Sequence, residues 1–420
     1  MLRKWTFRAV IAYLLFGLAM YVYLFYIAQA AVPDSLKGTS VDPATFLNYR
    51  ELMLSEEYSK IRNLLFFLST PYEWLFYFLI LIFGISKGME KWAKNTSKFH
   101  VIQTAVYLFL LSVISFIATF PLSYISYRFS KAYHISTQNF SLWMKDEVID
   151  FWVGFIEMFI IVVVLYWLMK RFKKRWWLPA WLLSIPFMVF MMFIQPVIID
   201  PLYNDFYPLK NKELETKILA LAEKANIPAE HVYEVNMSEK TNSLNAYVTG
   251  IGSNARIVLW DTTLEQLNEE EILFIMAHEM GHYVEKHIYF GIAGYILLTG
   301  IGLWLTSHIM SWWLRKHGKD LKVTGISQLS SLPLFLLITS MLLFVASPMT
   351  NWISRYEEMR ADRYGMEMTR NKEAAIQTFH DLTKSGLSQV NPPLLVKIFR
   401  YDHPMMLERI RMVEDFETGK

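Results

Sequence analysis

Two histidines one helical turn apart, with a glutamate beside the first, make AHEMGHYVEKH (residues 277–287) the stretch of this sequence best equipped for chemistry. His278 and His282 are i, i+4, so on a helix both imidazoles leave one face and can reach a single metal ion. Glu279, next to the first histidine, is expected to take a proton from a water that the metal activates. Asn268 reads as the N-cap of this helix, and Glu269, Glu270 and Glu271 fill the first turn, where the helix dipole favours negative charge. The alternative is a surface helix with two solvated histidines. A third ligand distinguishes the two.

That ligand is sought in SRYEEMRADRYG (residues 354–365). Glu358 and Asp362 are again i, i+4, so one carboxylate can coordinate the metal while the other hydrogen-bonds an imidazole of the first helix and fixes its tautomer. Glu357 competes with Glu358, because neighbours on a helix point about 100° apart and only one of them can face the ion. Three protein ligands with water in the fourth position is the catalytic zinc pattern; four protein ligands would be structural. The chain has no cysteine, so imidazoles and carboxylates must supply every metal donor.

The elements that carry these residues belong to a membrane protein. Of 420 residues, 54% are hydrophobic and 16% aromatic, and with a positive mean hydropathy this points to a polytopic membrane protein. A net charge of +3 gives no reason to expect a nucleic-acid partner. Seven stretches are long and apolar enough to cross a bilayer, near residues 9–31, 64–86, 101–121, 151–169, 177–199, 288–313 and 327–349. The first follows Arg3, Lys4 and Arg8, yet it is too long and aromatic for a signal peptide and reads as a retained anchor. Spans six and seven form a hairpin between the histidine pair and Glu358, so the candidate ligands emerge on one side of the membrane.

The expected fold is therefore an all-α polytopic membrane protein with seven transmembrane helices and a small α+β zinc metallopeptidase domain. Residues 1–199 hold spans one to five, 200–287 the soluble insert with the histidine pair, 288–349 spans six and seven, and 350–420 a helical C-terminal segment supplying the third ligand. Within the insert, Leu214, Ile218, Leu221 and Ala222 recur at helical spacing. HVYEVN and two β-rich runs around Gly252, Ser253 and Asn254 suggest a small sheet ending in a hairpin. In zinc peptidases with this helix, a sheet edge beside the metal pairs with the extended substrate. Asn245 to Gly250 is the candidate edge.

Five segments then carry a resemblance. DPLYNDFYPL (200–209), NAYVTGIGSNARIVLWDT (245–262), HEMGH, EEMRAD with the preceding Ser354 and Arg355, and HPMMLERI (403–410) occur in that order. Together they resemble the type I, zinc-dependent CAAX prenyl endopeptidases, membrane metallopeptidases that mature the yeast a-factor and prelamin A. The likeness extends over nearly the whole chain, including the membrane plan. It implies one zinc ion per chain held by His278, His282 and Glu358, with Glu279 as catalytic base and Asp362 as a second carboxylate sometimes assigned as proton donor. His403 and Arg409 fall in the HP…ER pattern, as donors to the oxyanion formed on the scissile carbonyl. Asn245, Ala246 and Tyr247 would bind substrate, a peptide or protein that in this family is lipid-modified and reached from the bilayer.

Two departures stand out: Met280 where the family has Leu, and AYHIS (132–136) where FGFN is common. The second bears on substrate choice. Clusters of Lys and Arg at the N-terminus and in the second, fourth and sixth loops place the N-terminus in the cytoplasm and the zinc domain outside, whereas the resemblance implies a cytosolic catalytic domain. Competing functions are a membrane quality-control metalloprotease without a prenylated substrate and a non-catalytic transporter or scaffold with a structural zinc. The last has no need of Glu279.

Overall fold

The protein was analysed as a computed structural model, which describes residues 2–229, 231–249 and 256–417. In chain order its helices are α1 (Leu2–Val22), α2 (Tyr49–Ile82), α3 (Ile85–Thr96), α4 (His100–Ala132), α5 (Phe140–Phe172), α6 (Trp177–Ile194), α7 (Asp200–Tyr203), α8 (Lys212–Lys224), α9 (Asp261–Gln266), α10 (Glu269–Val284), α11 (His287–His317), α12 (Leu332–Thr369), α13 (Lys372–Ser385), α14 (Leu394–Phe399) and α15 (Met406–Asp415). Four strands lie between α7 and α9: β1 (Phe206–Pro208), β2 (Val232–Val235), β3 (Ala246–Thr249) and β4 (Arg256–Trp260).

Seven helices among the described residues are long and apolar enough to cross a membrane: α1, α2, α4, α5, α6, α11 and α12. Their order matches the hydropathy runs, but several continue well past them. α2 begins at Tyr49, where Asn48 and Glu51 cap it reciprocally, and its polar turns are held in place as Ser55 and Ser59 donate hydrogen bonds to the carbonyls of Ser388 and Leu387. α12 runs unbroken from Leu332 to Thr369, so the seventh span and the Glu358 segment are one rod. Neighbouring pairs α2–α4, α4–α5, α5–α6, α6–α11, α11–α12 and α12–α2 close a ring of six helices, with α1 packed against α2.

Between the fifth and sixth spans the sheet has the order β1-β2-β4-β3. β4 runs parallel to β2, and β3 is an edge strand antiparallel to β4, with Ala246 opposite Leu259 and Val248 opposite Ile257. The expected turn at Gly252, Ser253 and Asn254 lies outside the described residues. Leu214, Ile218 and Ala222 of α8 are buried together with Ala246, Ile257 and Leu259 of the sheet and with Ile272, Met276 and Met280 of α10. Met280 is thus a core side chain, and Met for Leu is a swap of similar volume that such a core absorbs. The AYHIS segment is likewise structural: the Ile135 carbonyl accepts from Asn242 N–H, and the His134 carbonyl from the Asn242 amide, pinning the loop that leads into β3.

The sheet takes one face of α10, which leaves the face bearing Phe274, His278 and Gly281 for α12. The two helices cross closely because small residues meet there. A Cβ on Gly281 would lie 3.1 Å from the Ala361 Cα, and one on Gly365 would lie 3.1 Å from Phe274 and 3.3 Å from the His278 nitrogen. Gly365→Val should therefore destabilise by about 1–3 kcal/mol through overpacking. The measurement is thermal unfolding in detergent, and an unchanged melting temperature would show that the crossing has room to spare.

Candidate active site

α10 starts as its residues dictate. The Asn268 side chain accepts from the Glu270 and Glu271 amides, and Glu271 returns a bond to the Asn268 N–H, a reciprocal cap that sets where the helix begins. One turn separates His278 from His282, and their Nε2 atoms lie 3.2 Å apart. α12 brings in Glu358, whose Oε2 is 3.2 Å from His278 Nε2 and whose Oε1 is 3.3 Å from His282 Nε2. Glu357 has no place in this cluster.

The residues present fit a metal ion. The two Nε2 atoms are 3.2 Å apart, close to the roughly 3.3 Å edge of a tetrahedron whose metal bonds are about 2.0 Å. Each faces a different oxygen of the Glu358 carboxylate, at 3.2 and 3.3 Å, and one ligand atom from each of the three residues lies within 4.8 Å of the others. Glu358 Oε2 is buried without a hydrogen-bond partner, an acceptor aimed at the same point. Electrostatics agree. Burial works against charge on His278, yet the Asp362 and Glu358 carboxylates outweigh it and raise the imidazole to about 10, so the cluster favours positive charge at its centre. Burial and His278 hold His282 down near 4, which leaves its lone pair free to ligate. Burial also pushes Glu279 up to about 7, and its Oε1 stands 3.9 Å from His278 Nε2. A carboxyl of that basicity beside the cluster can exchange protons near neutrality.

Around this centre the remaining candidates divide. Asp362 is fully buried, with Oδ1 2.8 Å from His278 Nδ1 at an angle off the ring's N–H direction. Arg409 of α15 takes both oxygens of Asp362, donating from Nε at 2.8 Å and from the terminal nitrogen at 2.6 Å, and stacks over Phe379 at 4.4 Å. In this arrangement the Asp362 carboxylate accepts two hydrogen bonds from the Arg409 guanidinium, and Arg409 is paired with Asp362.

His403 does face the centre: its Nε2 is 3.5 Å from Glu358 Oε2 and its Nδ1 pairs with Asp402 at 2.9 Å. Burial tends to lower its pKa, but Asp402 and Glu358 more than offset this and raise it. Asn245 is already engaged, its N–H donating to the Thr263 hydroxyl and its carbonyl accepting from Trp260 and Thr263. Ala246 points into the core, Tyr247 is half-buried, and the outer edge of β3 has no strand partner among the described residues.

Two residues of the site escaped the pattern reading. His287 is five positions from His282 and on a regular helix leaves its face, so it reads as an interfacial residue. In the structure it is buried, with Nδ1 3.0 Å from His282 Nδ1. The cause is Lys286, whose left-handed φ of 59° ends α10 and redirects the chain into α11. Asp402 is the other; its only signal is adjacency to His403.

With this geometry in hand, similarity to known proteins is informative. Residues 208–417 match Peptidase family M48, and residues 10–205 match the CAAX prenyl protease N-terminal family, five membrane helices. The chain is 53% identical over 418 residues to the protein named Uncharacterized metalloprotease YhfN of Bacillus subtilis, covering 100% of this chain and 98% of that one. It is 27% identical over 341 residues to CAAX prenyl protease 1 of Saccharomyces cerevisiae, covering 76% of this chain and 74% of that one. The crystal structure of S. mikatae Ste24p superposes with a TM-score of 0.81 at 23% identity, covering 98% of both chains, which speaks to the fold. A seven-span helical fold, a donor cluster of two histidines on α10 and a glutamate on α12, and matches over nearly the entire length agree: this chain belongs to peptidase family M48 and is an integral, multi-pass membrane metalloprotease.

Proposed function

We propose that His278, His282 and Glu358 hold one zinc ion, that Glu279 is the general base, and that the substrate is a lipid-modified peptide or protein drawn from the bilayer. The observation that carries this reading is the meeting of two imidazoles and a carboxylate, from two helices far apart in sequence, with one ligand atom from each within 4.8 Å of the others. Zinc held there would make water acidic enough to ionise near neutral pH and would polarise the scissile carbonyl. Glu279 takes the proton of the attacking water on its carboxylate and passes it to the leaving amine. His403, kept in orientation by Asp402, presents Nε2 to the oxyanion, the role its place in the HP…ER pattern implies.

Behind them, Asp362 faces Nδ1 of His278 and His287 faces Nδ1 of His282. Since a ligating imidazole bound through Nε2 carries its proton on Nδ1, His287 accepts that proton's hydrogen bond and is itself protonated on Nε2. Arg409 balances the charge of Asp362. The free edge of β3 suits an extended substrate backbone, with main-chain groups making the contacts. Only Glu285 and Lys286 separate α10 from the membrane-spanning α11, so a substrate with a lipid anchor would approach from the bilayer without leaving it.

Glu279→Gln should retain about one zinc per chain by elemental analysis while turnover falls about 10²- to 10⁴-fold. Wild-type cleavage by that variant would remove Glu279 from the role of base. His287→Ala should weaken zinc binding about 10- to 100-fold in competition with a chelator, and unaltered affinity would mean that the contact with His282 does no orienting. A farnesylated test peptide should be cleaved at least about tenfold faster than its unmodified twin in the same detergent, a difference of about 1.4 kcal/mol. Equal rates would favour a peptidase acting on membrane or exported peptides at large.

A further inference from the structure

A second polar feature lies within the helix ring, away from the metal cluster. A cavity of about 730 Å³ is bounded by α2, α4 and the beginning of α5, and by Lys240, Thr241 and Arg400 from the soluble part. Two guanidinium groups enter it, Arg62 from α2 and Arg400 from the turn after α14. Neither is within ion-pair distance of a carboxylate among the described residues. Nε of Arg62 is buried without any hydrogen-bond partner, and that guanidinium lies 5.4 Å from the Tyr58 ring centre. Arg400 bonds the Asn63 side-chain oxygen and lies over Phe66 and Tyr401. Burial, and then the like charge of Arg62, hold Arg400 down near 10.

Other charges around the cavity do not cancel this pair. Lys240 is taken by Asp146 at 2.7 Å, and Glu147, the one carboxylate among the lining residues, bonds neither arginine. Ser123, Ser126 and Ser130 of α4 also line it, so hydroxyl donors are at hand. Two neighbouring cations in a partly buried pocket are costly until an anion joins them, and a planar guanidinium pair matches a planar carboxylate in particular.

The cavity is connected to the metal cluster by covalent chain. Arg400 is followed by Tyr401, Asp402 and His403, a stretch that spans at most about 11 Å between its end Cα atoms. Arg355, one turn before Glu358 on α12, clamps this stretch by donating to the Lys397 and Tyr401 carbonyls at 2.9 and 2.6 Å. A peptide lying in the cleft past His403 would therefore bring whatever follows the scissile bond toward the arginines.

We infer that Arg62 and Arg400 form an anion subsite that binds the free C-terminal carboxylate of the peptide substrate. This rests on the peptidase reading of the neighbouring cluster and adds to it a ruler: anchoring the chain terminus sets the number of residues between it and the bond that is cut. A lipid phosphate offers related chemistry, but every unamidated peptide brings a carboxylate to this position as part of the chain being hydrolysed.

The test compares a farnesylated peptide ending in a free carboxylate with its C-terminally amidated twin, in both cleavage and equilibrium binding to the full-length, zinc-loaded protein. The free acid should be preferred about 10- to 100-fold, as for a charge-assisted hydrogen-bonded contact. Arg62→Gln should bring the acid-to-amide ratio toward one with zinc content unchanged. Because Nε of Arg62 has no hydrogen-bond partner among the described residues, this variant should fold even where Arg400→Gln, which loses the Asn63 contact, does not. Equal handling of the two peptides by the wild type would overturn the inference. So would loss of both substrates in parallel in Arg62→Gln, or displacement of neither peptide's preference but only of phosphatidylglycerol from the cavity. If cleavage is absent altogether while binding still prefers the acid in an Arg62-dependent way, the anion subsite stands and it is the assignment of the catalytic cluster that fails.

Discussion

Buried charge is the constraint around which the soluble half of this protein is built. His278, Glu358, Asp362 and Arg409 are all nearly inaccessible to solvent, and a buried ion costs several kcal/mol unless opposite charge and hydrogen bonds meet it. Each finds a partner on another element: Asp362 of α12 between Arg409 of α15 and His278 of α10, and Glu358 against both imidazoles. The arrangement closes only if α10 and α12 approach to the limit set by their backbones. Gly281, Ala361 and Gly365 permit that approach, so the glycine inside HEMGH matters to the metal cluster through packing.

The membrane half supplies the second condition. α11 and α12 leave and re-enter the same face, so the polar end of α12 stands beside α10 without any further connection to guide it. Because α12 is one unbroken helix, the position of Glu358 is inherited from a rod anchored in the helix ring, and small shifts of that rod would be felt at the cluster. α2, which lines the cavity with Arg62, packs against α12, which carries Glu358. Serine hydroxyls on the extramembrane turns of α2 fasten that ring to the segment before α14.

Much of the fold was legible in advance because its signals are local. Hydropathy runs of about 20 residues mark the seven spans, since no other element needs so long an apolar stretch. Asn268 followed by acidic residues marks the start of α10, and the i, i+4 spacing of His278 and His282 marks its functional face. Helix ends were less legible. The first turns of α2 and the last of α12 are polar, and whether polar residues continue a helix depends on contacts such as those of Ser55 and Ser59, which no window of sequence contains.

The types and spacing of His278, Glu279, His282 and Glu358 are thus determined by the sequence itself, because helical periodicity alone puts i and i+4 on one face and a metal accepts few donor sets. What only the tertiary structure decided are the partners of those residues. Arg409 turns to Asp362, since an unpaired carboxylate could not be buried there. His287 joins His282 because a single left-handed residue, Lys286, breaks the period that would have carried it away. Both outcomes depend on contacts between segments whose separation in the chain carries no information about their distance in space, and that is why periodicity could not foretell them.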